Sequence, residues 1–326
     1  MSAPRTVIVC PANAQANNGN WRTAARWQRL LRPTGTVRIV QHWPDALAAH
    51  DEVMLALHAR KSADAIAAWH AQRGARGLGV VLTGTDLYPD IARDALALRS
   101  LAQAHSLVVL QSQGLAALPA EHRARARVIV QSCSARQTLP KTPRHLRVLM
   151  VGHLREEKNP RMLLRAARRL APSEGIRIDH IGLALEPALA DEAQATAAAC
   201  PHYRWLGERT HAKALRCIQR AHLLVHTSAR EGGPLVIAEA LRSGTPVLAT
   251  RIAGHVGLLG EGYSGLIEAD DDVALAERLR QCRAQQSAPE GLLARWRQEG
   301  AQLAPRFEPA AEQAALRQWV QDLRLA

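Results

Sequence analysis

The chain has 326 residues, with 42 lysines and arginines against 29 aspartates and glutamates, and so a net charge of +13 with neutral histidines. That length fits two domains of roughly 100 to 200 residues each, and a hydrophobic content of 47% excludes a disordered basic tail. No apolar run approaches the roughly 18 residues of a membrane span, so we expect a soluble globular protein.

The sequence predicts neither secretion nor a metal framework. The first residues lack the basic and apolar regions of a secretory signal, which favours a cytoplasmic protein. The five cysteines are an odd number with no close pair, and this spacing fits neither a disulfide framework nor a zinc site. No D-x-D metal motif precedes a strand end, and we expect no essential metal or other cofactor.

The basic charge suggests a polyanionic partner, but its distribution argues against nucleic acid. Only four of the 42 cations are lysines, and the arginines are spread along the whole chain. Aromatic residues amount to 3%, too few for base stacking. We therefore expect no nucleic-acid partner, and small phosphorylated ligands as the alternative.

Five apolar runs in the first half of the chain alternate with helical stretches. They cover residues 6–10, 36–40, 53–58, 78–84 and 107–112. Because the runs are continuous rather than alternating, they predict strands buried on both faces, as in a parallel sheet. A helix is expected from about Trp21, with Pro33 closing it.

A proline-containing polar stretch at residues 139–145 predicts a linker, after which the alternation starts again. The second set of predicted strands covers residues 147–154, 176–185, 203–207, 223–228 and 246–250. The fold class is therefore α/β, with two Rossmann-like doubly wound parallel-sheet domains facing across a cleft. We place the domains at 1–143 and 144–304, and expect a helix within 305–326 to pack on the first domain.

Two strand ends of the second domain carry candidate binding residues. Glu231 opens a glycine-rich turn into a helix, and Glu239 follows eight residues later. A helix start of this kind favours an anion or a sugar oxygen, although a capped helix start with solvated glutamates is the plain alternative. At the other strand end, Lys158 stands just before Asn159 and Pro160, a predicted N-cap and first helical residue.

These two junctions resemble the carboxyl domain of the family 4 glycosyltransferases, two-domain GT-B enzymes that use nucleotide sugars. The resemblance covers residues 147–270 and implies that Lys158 neutralises the diphosphate, that Glu231 contacts the donor sugar and that Glu239 binds the ribose. The full set of donor-binding residues that it implies is Gly152, His153, Lys158, Glu231, Gly232, Gly233, Pro234, Leu235, Val236 and Glu239. His153 and the pair Gly233-Pro234 depart from the usual family residues.

Three polar strand ends in the first domain predict an acceptor pocket that favours a small anion. The first is a loop containing Asn18, Gly19 and Asn20, where Asn20 is the expected N-cap. The other two ends supply His58, Arg60 and Lys61, which are three potential cations, and Thr85 with Asp86. Loop, cap and core roles are the structural alternatives for these residues.

The segments ANNGNWRTA, LHARKSA, LTGTDLY and VGHLREEKNP are similar to the selenosugar synthases of bacterial selenoneine biosynthesis. This resemblance implies transfer of a sugar, typically N-acetylglucosamine from UDP-N-acetylglucosamine, to the selenium of selenophosphate. Lys158, Glu231 and His58 are then the candidate catalytic residues. Selenophosphate is already ionised, so it needs no strong general base, whereas a hydroxyl acceptor would need one, with Asp86 or His58 as candidates.

Three other functions stay open on the sequence alone. A family 4 glycosyltransferase could act on a hydroxyl, lipid or thiol acceptor. The same fold serves nucleotide-sugar 2-epimerases, so an epimerase is a second hypothesis. A non-catalytic nucleotide-sugar sensor is the third. The oligomeric state, the sugar and the anomeric outcome are not determined by the sequence.

Overall fold

The computed structural model describes residues 4–16, 19–84, 86–88, 91 and 93–326. The chain divides into two compact units, Met1–Ser132 together with Glu308–Ala326, and Cys133–Phe307. The first boundary thus lies at Ser132 rather than at the expected residue 143. The stretch 139–145, expected to be the linker, belongs to the second unit, where it bonds through Leu139 N to Gln219 O and through Lys141 Nζ to Ala221 O.

The first unit is built on one parallel sheet. Its strands are β1 (Arg5–Val9), β2 (Thr36–Val40), β3 (Val53–Leu57), β4 (Leu78–Leu82), β5 (Ser106–Val109) and β6 (Ala126–Val128). Its helices before the boundary are α1 (Gly19–Leu31), α2 (Ala63–Arg73), α3 (Ala95–Gln103), α4 (Gly114–Ala117) and α5 (Ala120–Arg123). The strand order is β2-β1-β3-β4-β5-β6, and the central strands are buried on both faces, as their continuous apolar runs predict.

The second unit repeats this plan. Its strands are β7 (Leu146–Val151), β8 (Ile176–Ile181), β9 (Tyr203–Trp205), β10 (Leu223–His226), β11 (Val247–Thr250) and β12 (Leu266–Ile267), in the order β12-β11-β10-β7-β8-β9. Its helices are α6 (Pro160–Arg168), α7 (Pro187–Ala199), α8 (His211–Arg220), α9 (Leu235–Leu241), α10 (Ala253–Leu259), α11 (Asp272–Ala284) and α12 (Leu292–Leu303). All pairings in both sheets are parallel, so the predicted α/β class with two doubly wound sheets is confirmed.

The C-terminal helix α13 (Pro309–Leu325) returns to the first unit, as expected, and packs on α1. Its Trp319 lies edge-to-face with Trp27 of α1, with 6.0 Å between the ring centroids. A Cβ at Gly79 of β4 would come within 2.4 Å of the Trp319 ring, so the glycine lets this helix approach the sheet closely. Within the described residues, no helix combines the length and the apolarity needed to cross a bilayer.

Candidate active site

Lys158 and Glu231 meet beyond the carboxyl ends of β7 and β10. The Lys158 ammonium donates to Glu231 Oε1 over 2.5 Å, and the Ser228 hydroxyl donates to the same oxygen over 2.7 Å. The Thr227 hydroxyl lies 3.1 Å from the Lys158 carbonyl and 2.9 Å from the Asn159 carbonyl, to which it can donate. The end of β10 therefore fixes the turn that carries the lysine.

Asn159 closes this turn and starts α6. Its backbone is left-handed, with φ +43°, and its side-chain oxygen accepts from the amide of Met162. Pro160 is the first helical residue, so the predicted cap and first-residue pair is confirmed. The sharp change of backbone direction places Lys158 outside the helix.

Glu231 is held as an anion although its side chain is only 10% exposed. Burial by itself would raise its pKa, but the Lys158 charge and the hydrogen bonds from Lys158 and Ser228 outweigh burial and lower the pKa to about 2. The carboxylate thus stays ionised throughout the neutral range, which suits an acceptor of hydrogen bonds from sugar hydroxyls.

Two buried histidines lie directly behind Glu231. His226, the last residue of β10, has Nδ1 2.9 Å from Nε2 of His255 in α10, and its own Nε2 is 3.7 Å from Glu231 Oε1. A Cβ at Gly254 would come within 2.3 Å of the Glu231 carbonyl, so a glycine is required for α10 to start this close to the carboxylate. Sequence reasoning missed both histidines, because their pairing across 29 residues arises only in the folded sheet.

Gly152 and His153 follow β7, on the side of the site that faces β8. The Gly152 carbonyl accepts from His180 Nε2 at 3.1 Å, and His153 Nδ1 accepts from the amide of Leu183 at 3.1 Å. A Cβ at Gly182 would overlap the Gly152 carbonyl, whereas a Cβ at Gly152 would make only ordinary contacts with Lys158 and Met150. Local packing therefore demands a glycine at 182 but not at 152.

Glu239 lies on α9, where it is buried and 2.5 Å from His211 Nε2 at the start of α8. The helix begins at Leu235, with Pro234 directly before it. Glu239 is about one turn into the helix. Gly232 and Gly233 lie in the turn between Glu231 and Pro234, and Val236 is in the first turn.

One group of side chains in the described residues has the composition of a metal site, namely His226, Glu231 and His255. The candidate ligand atoms lie within 4.8 Å of one another. However, the two rings face each other through a hydrogen bond, and the Lys158 ammonium already supplies a positive charge to the carboxylate. The arrangement fits a hydrogen-bonded chain better than a ligand set, and the absence of an essential metal stays a prediction.

In the first unit, His58 follows β3 in a left-handed conformation with φ +74°, which is uncommon for a residue with a side chain. Its amide donates to Val81 O, its carbonyl accepts from Ser62 N, and its Nδ1 accepts from Lys61 N at 3.3 Å. Burial lowers the pKa of His58, and the charges of Lys61 and Arg60 lower it further against the opposing effect of Asp86. His58 is therefore neutral with its proton on Nε2, which corrects its expected role as one of three cations.

Asp86 is fully buried and organises two loops of the first unit. One carboxylate oxygen accepts from the amide of Ala59 at 2.9 Å, and the other accepts from the amides of Thr83 and Gly84 at 3.0 and 2.9 Å. These bonds join the loops that follow β3 and β4. Asp86 thus has a structural task that its prediction as an acceptor contact or base did not include.

Among the remaining candidate residues of the first unit, the structure describes Arg60, Lys61, Gly19 and Asn20. Arg60 lies 3.4 Å from Asp94, which caps α3, and Lys61 is exposed. Helix α1 begins at Gly19, so Asn20 is inside the first turn and is not the N-cap that was predicted. Asn18 and Thr85 lie outside the described residues, and their roles stay predictions.

Comparisons with known proteins show the family of the second unit. Residues 134–302, more than half of the chain, match the family described as "Glycosyl transferases group 1". The chain belongs to this family of glycosyltransferases. It is 35% identical over 140 residues to a D-inositol 3-phosphate glycosyltransferase of Corynebacterium urealyticum, in a match that covers 40% of this chain and 33% of that protein. The chain thus spans about a third of the length of this curated relative.

Two solved structures match nearly the whole chain. HepE of Anabaena in complex with UDP-glucose has a TM-score of 0.77 at 16% identity, with 98% of this chain and 99% of that chain covered. A sucrose-phosphate synthase from Thermosynechococcus elongatus has a TM-score of 0.76 at 16% identity, with 98% of each chain covered. These similarities establish the GT-B fold, with its two Rossmann-like sheets.

Proposed function

We propose that the protein is a glycosyltransferase that takes its sugar from a UDP-sugar. The contact between Lys158 and Glu231 carries this proposal, because it places an ammonium and an ionised carboxylate together at the strand ends of the family domain. The ammonium stabilises the negative charge that develops on the departing diphosphate. Glu231 accepts hydrogen bonds from the sugar, and Glu239, held by His211, accepts from the ribose.

We further propose that the acceptor is selenophosphate and the product a 1-selenosugar. The similarity of four segments to selenosugar synthases supports this choice, and so do Arg60 and Lys61 after β3. In the transfer, selenium forms a bond to the anomeric carbon while the bond from that carbon to the diphosphate oxygen breaks, and UDP leaves. Water then hydrolyses the P–Se bond: its oxygen goes to phosphorus as inorganic phosphate, and selenium keeps a proton as the free selenol of the sugar.

The hydrogen bonds made by His58 and Asp86 favour selenophosphate over a hydroxyl acceptor. A hydroxyl must lose a proton to a base, whereas selenophosphate presents an ionised selenium. Both predicted bases are committed to backbone amides, His58 through Nδ1 and Asp86 through both oxygens. In this proposal the Nε2–H of His58 donates to the anionic acceptor rather than removing a proton from it.

The decisive experiment incubates the purified protein with UDP-glucose or UDP-N-acetylglucosamine, with and without selenophosphate, and follows UDP release and product mass. We expect UDP release that depends on selenophosphate and a product containing selenium bound to the sugar. Inorganic phosphate, a thiol and a simple alcohol serve as control acceptors. Turnover with the alcohol and indifference to selenophosphate would overturn the acceptor assignment. Formation of an epimer of the UDP-sugar without any acceptor would show that the protein is an epimerase rather than a transferase. Tight binding of the UDP-sugar without any UDP release would indicate a sensor.

A further inference from the structure

A hydrogen-bonded chain of buried groups ends at Glu231. His255 Nδ1 lies 2.7 Å from the Thr250 carbonyl and 3.2 Å from the Thr250 hydroxyl, whose own proton is donated to the Ser228 carbonyl. His255 Nε2 lies 2.9 Å from His226 Nδ1, and His226 Nε2 lies 3.7 Å from Glu231 Oε1. The two rings are nearly perpendicular and fully buried.

This chain fixes the tautomer of each ring. Both oxygens of Thr250 face His255 as acceptors, so Nδ1 of His255 carries its proton and the Nε2 of the neutral ring is a bare acceptor. His226 Nδ1 must then donate to that nitrogen. The remaining nitrogen of neutral His226, Nε2, is consequently a lone pair that faces the carboxylate of Glu231.

His226 Nε2 and the Glu231 carboxylate are both hydrogen-bond acceptors and repel each other, and the ammonium of Lys158 offsets this repulsion. It lies 2.5 Å from the same oxygen, Oε1, that faces His226. If the diphosphate of a donor attracts Lys158, Glu231 loses its cation while staying buried. The Ser228 hydroxyl still donates to it, but an ionised carboxylate without a cationic partner is costly in such surroundings. A proton on His226 Nε2 would replace the lost cation.

We propose that His226 is a positioning residue that takes up one proton from solvent at Nε2 when the donor diphosphate engages Lys158, and then donates to Glu231. This inference rests on the proposed donor site. The proton goes from water or buffer to the ring, and no other covalent bond changes. Glu231 thereby keeps its charge and orientation toward the sugar after its lysine partner has turned to the diphosphate.

The charges around His226 have the required signs. Burial lowers its pKa most, His255 of α10 and Lys158 of the turn before α6 lower it further, and Glu231 raises it. Movement of Lys158 toward a diphosphate removes one lowering influence, and the negative diphosphate adds a raising one. Donor binding and protonation of His226 therefore favour each other.

The proposal is tested by calorimetry of the full chain with UDP-glucose and UDP-N-acetylglucosamine in buffers of different ionisation enthalpy at pH 7. The slope of the observed enthalpy against that ionisation enthalpy counts the protons taken up. We expect about one proton for the wild type and, by linkage, a donor affinity that falls about tenfold for each pH unit above neutrality. Nucleotide sugars are preferred to UDP, whose terminal phosphate titrates near the same pH.

Two variants of His226 distinguish an effect of proton uptake from an effect of side-chain packing. In His226→Asn the amide still reaches His255 but has no counterpart of Nε2, so we expect no proton uptake, a weaker affinity and no pH dependence. In His226→Gln the longer amide can donate to Glu231 without titrating, so we expect recovered affinity, still without uptake. The matched control is His222→Asn. His222 precedes the opposite end of β10, and its Nδ1 accepts from the amide of Arg147. Proton uptake on donor binding should persist in this variant.

The outcomes discriminate sharply. Absence of uptake in the wild type, or unchanged uptake in both His226 variants, would overturn the proposal. Loss of uptake after treatment with a chelator would overturn it in favour of a metal on His226, Glu231 and His255. No binding of either nucleotide sugar would instead overturn the donor assignment, and this inference with it.

Discussion

Lys158 is one of four lysines in the chain and pairs with a carboxylate that is only 10% exposed. Replacing it by methionine leaves that carboxylate buried beside His226, and we expect a loss of about 3–5 kcal/mol in the free energy of unfolding. Adding Glu231→Gln should restore most of the stability, because the uncompensated charge is gone. Donor affinity should stay low in the double variant, since the diphosphate still lacks its cation.

Denaturant unfolding and calorimetry with UDP-glucose measure the two effects separately. Lys213→Met is the control, because Lys213 is an exposed residue of α8. Wild-type donor affinity in the Lys158→Met variant would show that the lysine serves the fold alone.

Arg60 and Lys61 define a second prediction at this scale. Replacing both by alanine should raise KM for selenophosphate at least tenfold and leave KM for the UDP-sugar nearly unchanged, because their charges follow β3 in the first unit. Arg29→Ala with Arg32→Ala, two exposed arginines at the end of α1 and just beyond it, provides a control of equal charge. Equal effects on both substrates would place Arg60 and Lys61 away from the acceptor.

The sequence was sufficient to single out Lys158, Glu231 and Glu239, because the first two follow predicted strand ends, Glu239 comes eight residues after Glu231, and all three match a family pattern. It could not indicate that His58 is neutral, since that depends on burial and on an amide bond to Nδ1. His211 and His255 were missed for a related reason. Their partners Glu239 and His226 are 28 and 29 residues away, at distances set only by packing.

Glu312, a buried carboxylate of helix α13, bonds this helix to the rest of the first unit. Glu312 accepts from Arg26 Nε, from Trp27 Nε1 at 2.7 Å, and from the amide and hydroxyl of Ser132. Glu312→Ala removes the charge that compensates Arg26, so we expect a loss of about 3–5 kcal/mol in stability.

The melting temperature of the first unit's transition and the rate of tryptic cleavage near Ser132 report this loss. Gln321→Ala, on the exposed face of the same helix, should change neither. A Glu312→Ala protein as stable as the control would mean that apolar packing by Leu316 and Trp319 holds the helix by itself.

Most elements were predictable because a strand buried on both faces has an unmistakable apolar run. The runs at 53–58 and 223–228 coincide with β3 and β10 to within two residues. The exceptions are the short outer strands β6 and β12, with three and two residues, which are too brief to produce a pattern. Helix α10 was also missed, since glycine is a poor helix former and Gly254 serves the contact with Glu231 instead.

At the scale of the whole molecule, much of the basic charge is neutralised locally. On α6, Arg161 pairs with Glu192, and Arg165 with Asp272. We expect binding to a 20-base-pair DNA duplex no tighter than the roughly 10⁻⁴ to 10⁻⁶ M of non-specific complexes at physiological salt. Fluorescence anisotropy measures it, and nanomolar binding at 150 mM salt would restore nucleic acid as a partner.

The two segments of the first unit, Met1–Ser132 and Glu308–Ala326, are separated along the chain by the entire second unit. Leu316, Trp319 and Leu323 of α13 belong to the same apolar cluster as Ile8 and Leu55 of the first sheet. During translation the second unit emerges as one uninterrupted stretch, whereas one face of the first sheet, covered in part by α1, stays incomplete until α13 is made. The unit whose synthesis begins first is therefore completed after the second unit, and the part of its sheet reserved for α13 is the apolar surface on which a ribosome-associated chaperone would have the longest time to act.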